Sequence, residues 1–92
     1  MRKGNIVFYT QKGCESCIKL KKLLNTTSLV YKEIDVLDHQ PLWESIRSRE
    51  IGIMYTPTLA LEIPKEKKII YISAGRDFDT EEEGLEKFKN LL

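Results

Sequence analysis

Cysteine is scarce in this sequence. There are two among 92 residues, both in the segment Cys14-Glu15-Ser16-Cys17. A small domain stapled by disulfides needs more of them, spread to close long loops, so that class is excluded. Histidine is scarcer: His39 alone could join the two thiols, short of the four ligands of a structural zinc site. An excess of charge is also missing. Lys plus Arg number 15 against 14 Asp plus Glu, a net charge of +1, which argues against broad electrostatic binding to nucleic acid or an anionic membrane. No apolar run is long enough to cross a bilayer as a helix. The start Met1-Arg2-Lys3-Gly4 is basic, but Asn5 to Thr10 is too short and polar-bounded for a signal h-region. The expected compartment is the cytoplasm. Repeats, low-complexity tracts and linkers are absent, and 41% apolar with 32% charged residues is the balance of a soluble domain. One domain over residues 1–92 is expected.

What is present is a regular alternation of periods. Ile6 to Tyr9 is a short run of β-branched and aromatic residues, read as a strand buried on both faces. From Cys14 to about Leu24 the period becomes helical: Cys17, Leu20 and Leu24 share a face, flanked by Ile18 and Leu23, while Lys19, Lys21 and Lys22 face water. Val30 to Val36 is a second strand with Val30, Ile34 and Val36 on one face, completing a βαβ unit. Pro41 suits the first turn of a helix striped by Leu42, Trp43 and Ile46 to about Glu50, and Gly52 suits its C-terminal cap. Leu59 to Ile63 and Ile69 to Ser73 form a hairpin over the solvated turn Pro64 to Lys68. Thr80 with Glu83 makes a capping box for a last helix whose Leu85, Phe88 and Leu92 form one face. The order β-α-β-α-β-β-α predicts an α/β fold of three layers, with a four-stranded mixed sheet covered by helices on both sides.

The chemistry gathers at the cysteines. Cys14 follows a strand and sits in the first turn of a helix, where unpaired backbone N–H groups and the positive dipole end face its sulfur. A thiolate is the reactive form of cysteine, and this environment lowers a thiol pKa. Cys17 lies one turn deeper on the same side, so the pair divides into an attacking and a resolving thiol. Two incidental buried thiols are the plainer alternative. Glu15 favours the helix start but opposes ionisation of its neighbour, and Lys12 can offset that charge. Tyr55-Thr56-Pro57-Thr58 precedes the third strand. Its X-Pro bond can be cis at modest cost, or Pro57 is an ordinary strand-entry proline. His39 reads as surface and Trp43 as core.

Taken together, Phe8-Tyr9-Thr10, the Cys-x-x-Cys helix, Thr56-Pro57 and the glycine after the fourth strand resemble the glutaredoxin branch of the thioredoxin-like superfamily. The short start is similar to glutaredoxins and to the glutaredoxin-like hydrogen donors of ribonucleotide reductase. Pro57-Thr58-Leu59 also resembles thioredoxin, whose extra N-terminal strand and helix have no counterpart here. The resemblance implies a thioredoxin-like fold and a thiol–disulfide oxidoreductase with Cys14 as nucleophile and Cys17 as resolving thiol. It implies a cis Thr56–Pro57 bond that leaves the Thr56 backbone free for an extended substrate. Ala74-Gly75-Arg76-Asp77 stands where glutathione-binding members carry Gly-Gly-x-Asp. Lys12, Thr56, Pro57, Gly75 and Asp77 are therefore the expected substrate or glutathione contacts. Gln11 occupies the position usually held by a base, with Lys12 one later, and Glu15-Ser16 replaces the common Pro-Tyr. No bound cofactor or metal is expected. The implied partners are a disulfide-containing protein, ribonucleotide reductase among the candidates, and a reductant that is either glutathione or a thioredoxin-reductase-type flavoprotein, acting on a monomer. Two other classes stay open: a glutathione-dependent iron–sulfur or metal carrier, and a non-catalytic interaction module. Purified carrier would be coloured by iron; purified oxidoreductase would be colourless.

Overall fold

The first strand, β1 (Asn5–Thr10), has side chains that are buried on both faces at Val7, Phe8 and Tyr9. Only a central strand can bury consecutive residues in that way, because alternate side chains point to opposite sides. In the computed structural model, which describes residues 4–92, β1 lies between β2 (Tyr31–Asp35) and β3 (Thr58–Ile63), with β4 (Lys68–Ser73) beyond β3. β1 runs parallel to β2 and antiparallel to β3, and β3 to β4 is an antiparallel hairpin. The basic Met1-Arg2-Lys3 start lies outside the described residues.

Three helices cover this sheet. Helices α1 (Glu15–Leu24) and α3 (Glu81–Lys89) share one face, where Cys17, Leu20, Leu24, Leu85 and Phe88 meet Phe8, Leu59 and Leu61. Helix α2 (Gln40–Arg49) covers the other through Trp43 and Ile46, which join Val7, Tyr9, Ile34, Val36 and Tyr71. The expected three-layer α/β/α arrangement is therefore present. Each fully buried Leu, Ile or Phe contributes roughly 1.5–3 kcal/mol, and the α1–α3 layer holds Phe8, Leu20, Leu24, Leu59, Leu61 and Phe88 at 0% exposure. The base of the dithiol helix is thus fixed to the sheet.

Local sequence explains the boundaries. Asn25 ends α1, and the Thr26 and Thr27 hydroxyls donate to the carbonyls of Leu23 and Leu24 at 2.7 and 2.6 Å, adding to the backbone N–H groups of the same two threonines at 3.1 and 3.0 Å. Gly84, inside α3, lies under the Phe78 ring, where a β-carbon would come within 2.9 Å of it. The close approach outweighs the helix cost of glycine, about 1 kcal/mol against alanine.

Four expectations need correction. Val30 is 87% exposed and precedes β2. Pairing with β1 begins at Tyr31, and the α2 stripe reaches Ile34 and Val36 only. Leu42 is exposed, because Trp43 and Ile46 alone face the sheet from α2. Gly52 is not the cap of α2: Glu50 is, its N–H reaching Ile46 O at 2.9 Å, and Gly52 follows with φ +87°. Leu92 lies past the end of α3, half-buried against the α1–α3 core. The expected hairpin with its exposed turn is present, the turn being a 3-10 turn, Pro64–Glu66, closed by Lys67 in the left-handed region.

Candidate active site

At the C-terminal end of β1 the chain turns through Gln11-Lys12-Gly13-Cys14, closed by the Cys14 N–H donating to Gln11 O at 3.1 Å. Gly13 holds φ +84°, which the third position of such a turn demands and which a side chain would strain. This turn delivers Cys14 as the N-cap of α1, one position earlier than the first-turn placement expected from sequence. The consequence for the sulfur is direct. The Cys17 N–H donates to Cys14 Sγ at 3.1 Å, as a serine or threonine oxygen is used at other N-caps. Cys14 and Cys17 are joined as a disulfide, with Cα atoms 5.2 Å apart. Cys14 is partly exposed, whereas Cys17 is 1% exposed within the α1–α3 core. Lys12 and Glu15 are both exposed.

Facing the dithiol is the loop that leads into β3. The Thr56–Pro57 peptide bond is cis. Thr56 O lies 3.9 Å and Thr56 Oγ1 3.8 Å from Cys14 Sγ. Pro57 is buried, and its carbonyl accepts the Ala74 N–H at 3.1 Å. The loop's outer surface is apolar: Ile51, Met54 and Tyr55 are 95%, 55% and 60% exposed. Cys14, Cys17, Thr56 and Pro57, separated by some forty residues in sequence, thus form one cluster.

The remaining predicted residues sit further out and have other engagements. Gly75, at φ +84°, turns the chain after β4, and its N–H donates to Phe78 O at 3.0 Å. Asp77 Oδ2 accepts the Ser73 N–H at 2.8 Å and Arg76 Nε–H at 2.9 Å. Arg76 also donates to Ile51 O at 3.3 Å and Tyr71 O at 2.9 Å. The carboxylate of Asp77 therefore holds its own loop to the edge of β4, while Arg76 joins that loop to the segment after α2. The sequence reading overlooked Arg76, as well as Thr58 and Ser73, two hydroxyl residues at 0% exposure behind the cis proline. The one cue for Thr58 was its place directly after Pro57. For Ser73 there was none.

On the opposite, α2-covered face of the sheet, burial pushes the Tyr9 phenol up to about 12, helped by Tyr71 and Glu62 and opposed by Arg49. It stays protonated at neutral pH and offers no acid–base chemistry there.

The family model described as glutaredoxin matches residues 6–62, which span β1 to β3 and include the dithiol and the cis proline. Gly75 and Asp77 lie outside that span. No curated protein sequence matches the chain. Among solved structures, the thioredoxin-like protein BC3987 superposes with a TM-score of 0.61 at 21% identity, covering 96% of this chain and all of that one. A point mutant of the same protein gives 0.60 at 19% identity, covering 95% of this chain and 97% of that one.

Proposed function

The chain belongs to the glutaredoxin family, and from that premise we propose that it is a thiol–disulfide oxidoreductase that reduces disulfides by attack of Cys14. The observation that supports this most directly is the Cys17 N–H held 3.1 Å from Cys14 Sγ at a helix start. A thiolate there gains a charge-assisted hydrogen bond and the positive end of the helix dipole.

In the reduced protein the Cys14 thiolate attacks one sulfur of the substrate. A Cys14–substrate disulfide forms, the substrate S–S bond breaks, and the departing sulfur leaves as a thiolate that takes a proton from water. Cys17, deprotonated in turn, attacks Cys14 Sγ and releases the second substrate thiol. Two electrons have passed from the dithiol to the substrate, and the Cys14–Cys17 disulfide remains. Burial keeps Cys17 from competing for the first attack, and its position one turn below puts it within bonding reach for the second. The Thr56 backbone beside the sulfur offers an extended substrate a place to pair, with Pro57 fixing that backbone. Lys12, Gly75 and the second oxygen of Asp77 are the proposed outer contacts of a peptide or of glutathione.

The disulfide is then reduced by glutathione or by a thioredoxin-reductase-type flavoprotein. A coupled assay following NADPH consumption tests both: purified protein and a disulfide substrate are supplied with glutathione and its reductase, or with the flavoprotein. Turnover that depends on Cys14 with either donor supports the reading. Absence of turnover with both, from fully reduced protein, rejects it.

A further inference from the structure

Behind the cis proline lies a polar pair that the mechanism above does not use. Thr58 Oγ1 and Ser73 Oγ, on adjacent strands and both fully buried, are 2.7 Å apart. The carbonyl of Tyr55 is 2.9 Å from Thr58 Oγ1 and 3.4 Å from Ser73 Oγ. Two hydroxyls carry two protons between them, so only two of these three contacts can be donated at once. The distances select the chain in which Ser73 donates to Thr58 and Thr58 donates to Tyr55 O. A buried hydroxyl pair in an apolar core is costly unless fully satisfied, and here the terminal acceptor is the loop that carries Thr56.

We propose that Thr58, relayed by Ser73, is a positioning residue that aims the Thr56 backbone at an extended disulfide substrate. The Tyr55–Thr56 unit is a planar trans peptide, so its C=O and N–H point in opposite directions. Holding the Tyr55 carbonyl inward against the strands turns the Thr56 N–H to the other side. Among the described residues that N–H has no hydrogen-bond acceptor, and its residue lies against Cys14 Sγ. A substrate main chain lying across the dithiol finds there a donor already oriented, which saves the ordering cost of binding. The inference rests on the proposed oxidoreductase reading and adds a prediction about substrate class: the strut matters for disulfides within a peptide and not for small ones without a main chain.

The experiment compares Thr58→Val, Thr58→Ser and Ser73→Ala with the parent protein. The substrates are a short cystine peptide with extended flanks and 2-hydroxyethyl disulfide. Thr58→Val keeps the branched shape and removes the donor, so kcat/KM for the peptide should fall about tenfold, the scale of one hydrogen bond to a buried group. That for the small disulfide should stay unchanged. Thr58→Ser should restore peptide turnover, and Ser73→Ala, which leaves the Thr58 donor in place, should give a smaller loss confined to the peptide. The Thr56 amide nitrogen shift should move in Thr58→Val and return in Thr58→Ser. Equal losses on both substrates, or none on either, overturn the inference. If Thr58→Val does not fold, Ser73→Ala decides by the same selectivity. Parent protein that reduces neither substrate overturns the proposed function, whereas an unmoved Thr56 amide in Thr58→Val overturns the strut.

Discussion

Cys14 at the start of α1 and Thr80 at the start of α3 each accept the backbone N–H of the residue three positions on, at 3.1 and 3.2 Å. The backbone device is the same, and the surroundings differ. The first turn of α3 carries Glu81, Glu82 and Glu83, and Glu83 reaches back to the Asp79 N–H at 2.9 Å. The first turn of α1 carries Glu15 alone. At α3 a hydrogen bond from its own backbone N–H holds the Glu82 carboxyl below its ordinary 4.5, with Lys19 assisting and desolvation opposing. That is the effect of a helix start on an acid. At α1 the acid in the favoured place is a thiol. A helix start is therefore not a reactive site in itself. It becomes one when the capping atom can exchange bonds and few carboxylates compete for the same field.

Replacing the α1 cap tests this most severely. Cys14→Ser keeps a capping oxygen and removes the bond-exchanging sulfur. Under reducing conditions its thermal stability should match the parent within experimental error, while disulfide reduction is abolished. Cys17→Ser should accumulate a mixed disulfide on Cys14, visible by mass. In the reduced parent, alkylation should label Cys14 well before the buried Cys17. An active Cys14→Ser protein, or equal labelling of the two thiols, would break the comparison.

Removing the α3 cap should do the converse. Thr80→Ala takes away the acceptor for Glu83 N–H and should cost about 1 kcal/mol of stability, measured by denaturant unfolding. Cys14 alkylation should not change. A loss of thiol reactivity with Thr80→Ala would mean that the two helix starts are coupled through the α1–α3 packing.

The two caps were also unequal in how far the sequence disclosed them. Thr80 and Glu83 form a recognisable capping-box pattern, and half of the box is present: Thr80 caps Glu83 N–H, while the Glu83 carboxylate bonds Asp79 N–H instead of the N–H of Thr80. Cys14 was placed by the change of period after β1, and the thioredoxin-like order of elements followed from the same periodicities. Side-chain alternation reports which face a residue would occupy but not where pairing starts, so the alternation that groups Val30 with Ile34 and Val36 does not show that Val30 precedes β2 and is exposed. The Thr58–Ser73 pair was invisible for a related reason: its members are neighbours only after β3 and β4 pair. Asp77 could be aligned by resemblance, yet its bonds to Ser73 and Arg76 depend on how the loop folds back on β4.

The field at α3 has its own signature in acid. Because the folded pKa of Glu82 is lowered, the folded state binds this proton less readily than the unfolded state. Its contribution is present above the unfolded value and is lost as pH falls through the folded one. In Glu82→Gln that part of the pH dependence should vanish, so the two stability curves should converge as pH falls below 4.5. Curves that stay parallel through this range would show that the α3 start does not act on Glu82. The carboxylate is exposed and its ion pair with Lys19 at 3.4 Å lies in solvent, so added salt should weaken the effect.

Glu15 gives the smallest effect and the sharpest comparison, since it is the one carboxylate in the first turn of α1. It adjoins Cys14 in a helix start, and a negative charge beside the thiol raises the cost of forming the thiolate. Glu15→Gln removes the charge and nearly keeps the shape. The Cys14 pKa should fall by a few tenths to about one unit in reduced protein, and alkylation near neutral pH should speed up accordingly. Stability should drop only slightly, because one exposed charge at a helix start is worth about 0.3–1 kcal/mol. High salt should shrink the difference between the variants. The measurement is a pH titration of Cys14 alkylation for both proteins at low and high ionic strength. An unchanged pKa would mean that Lys12, exposed two residues before Cys14, already balances the carboxylate. The scarcity of acid at this helix start would then not be what separates it from α3, and the difference would rest on the chemistry of sulfur alone.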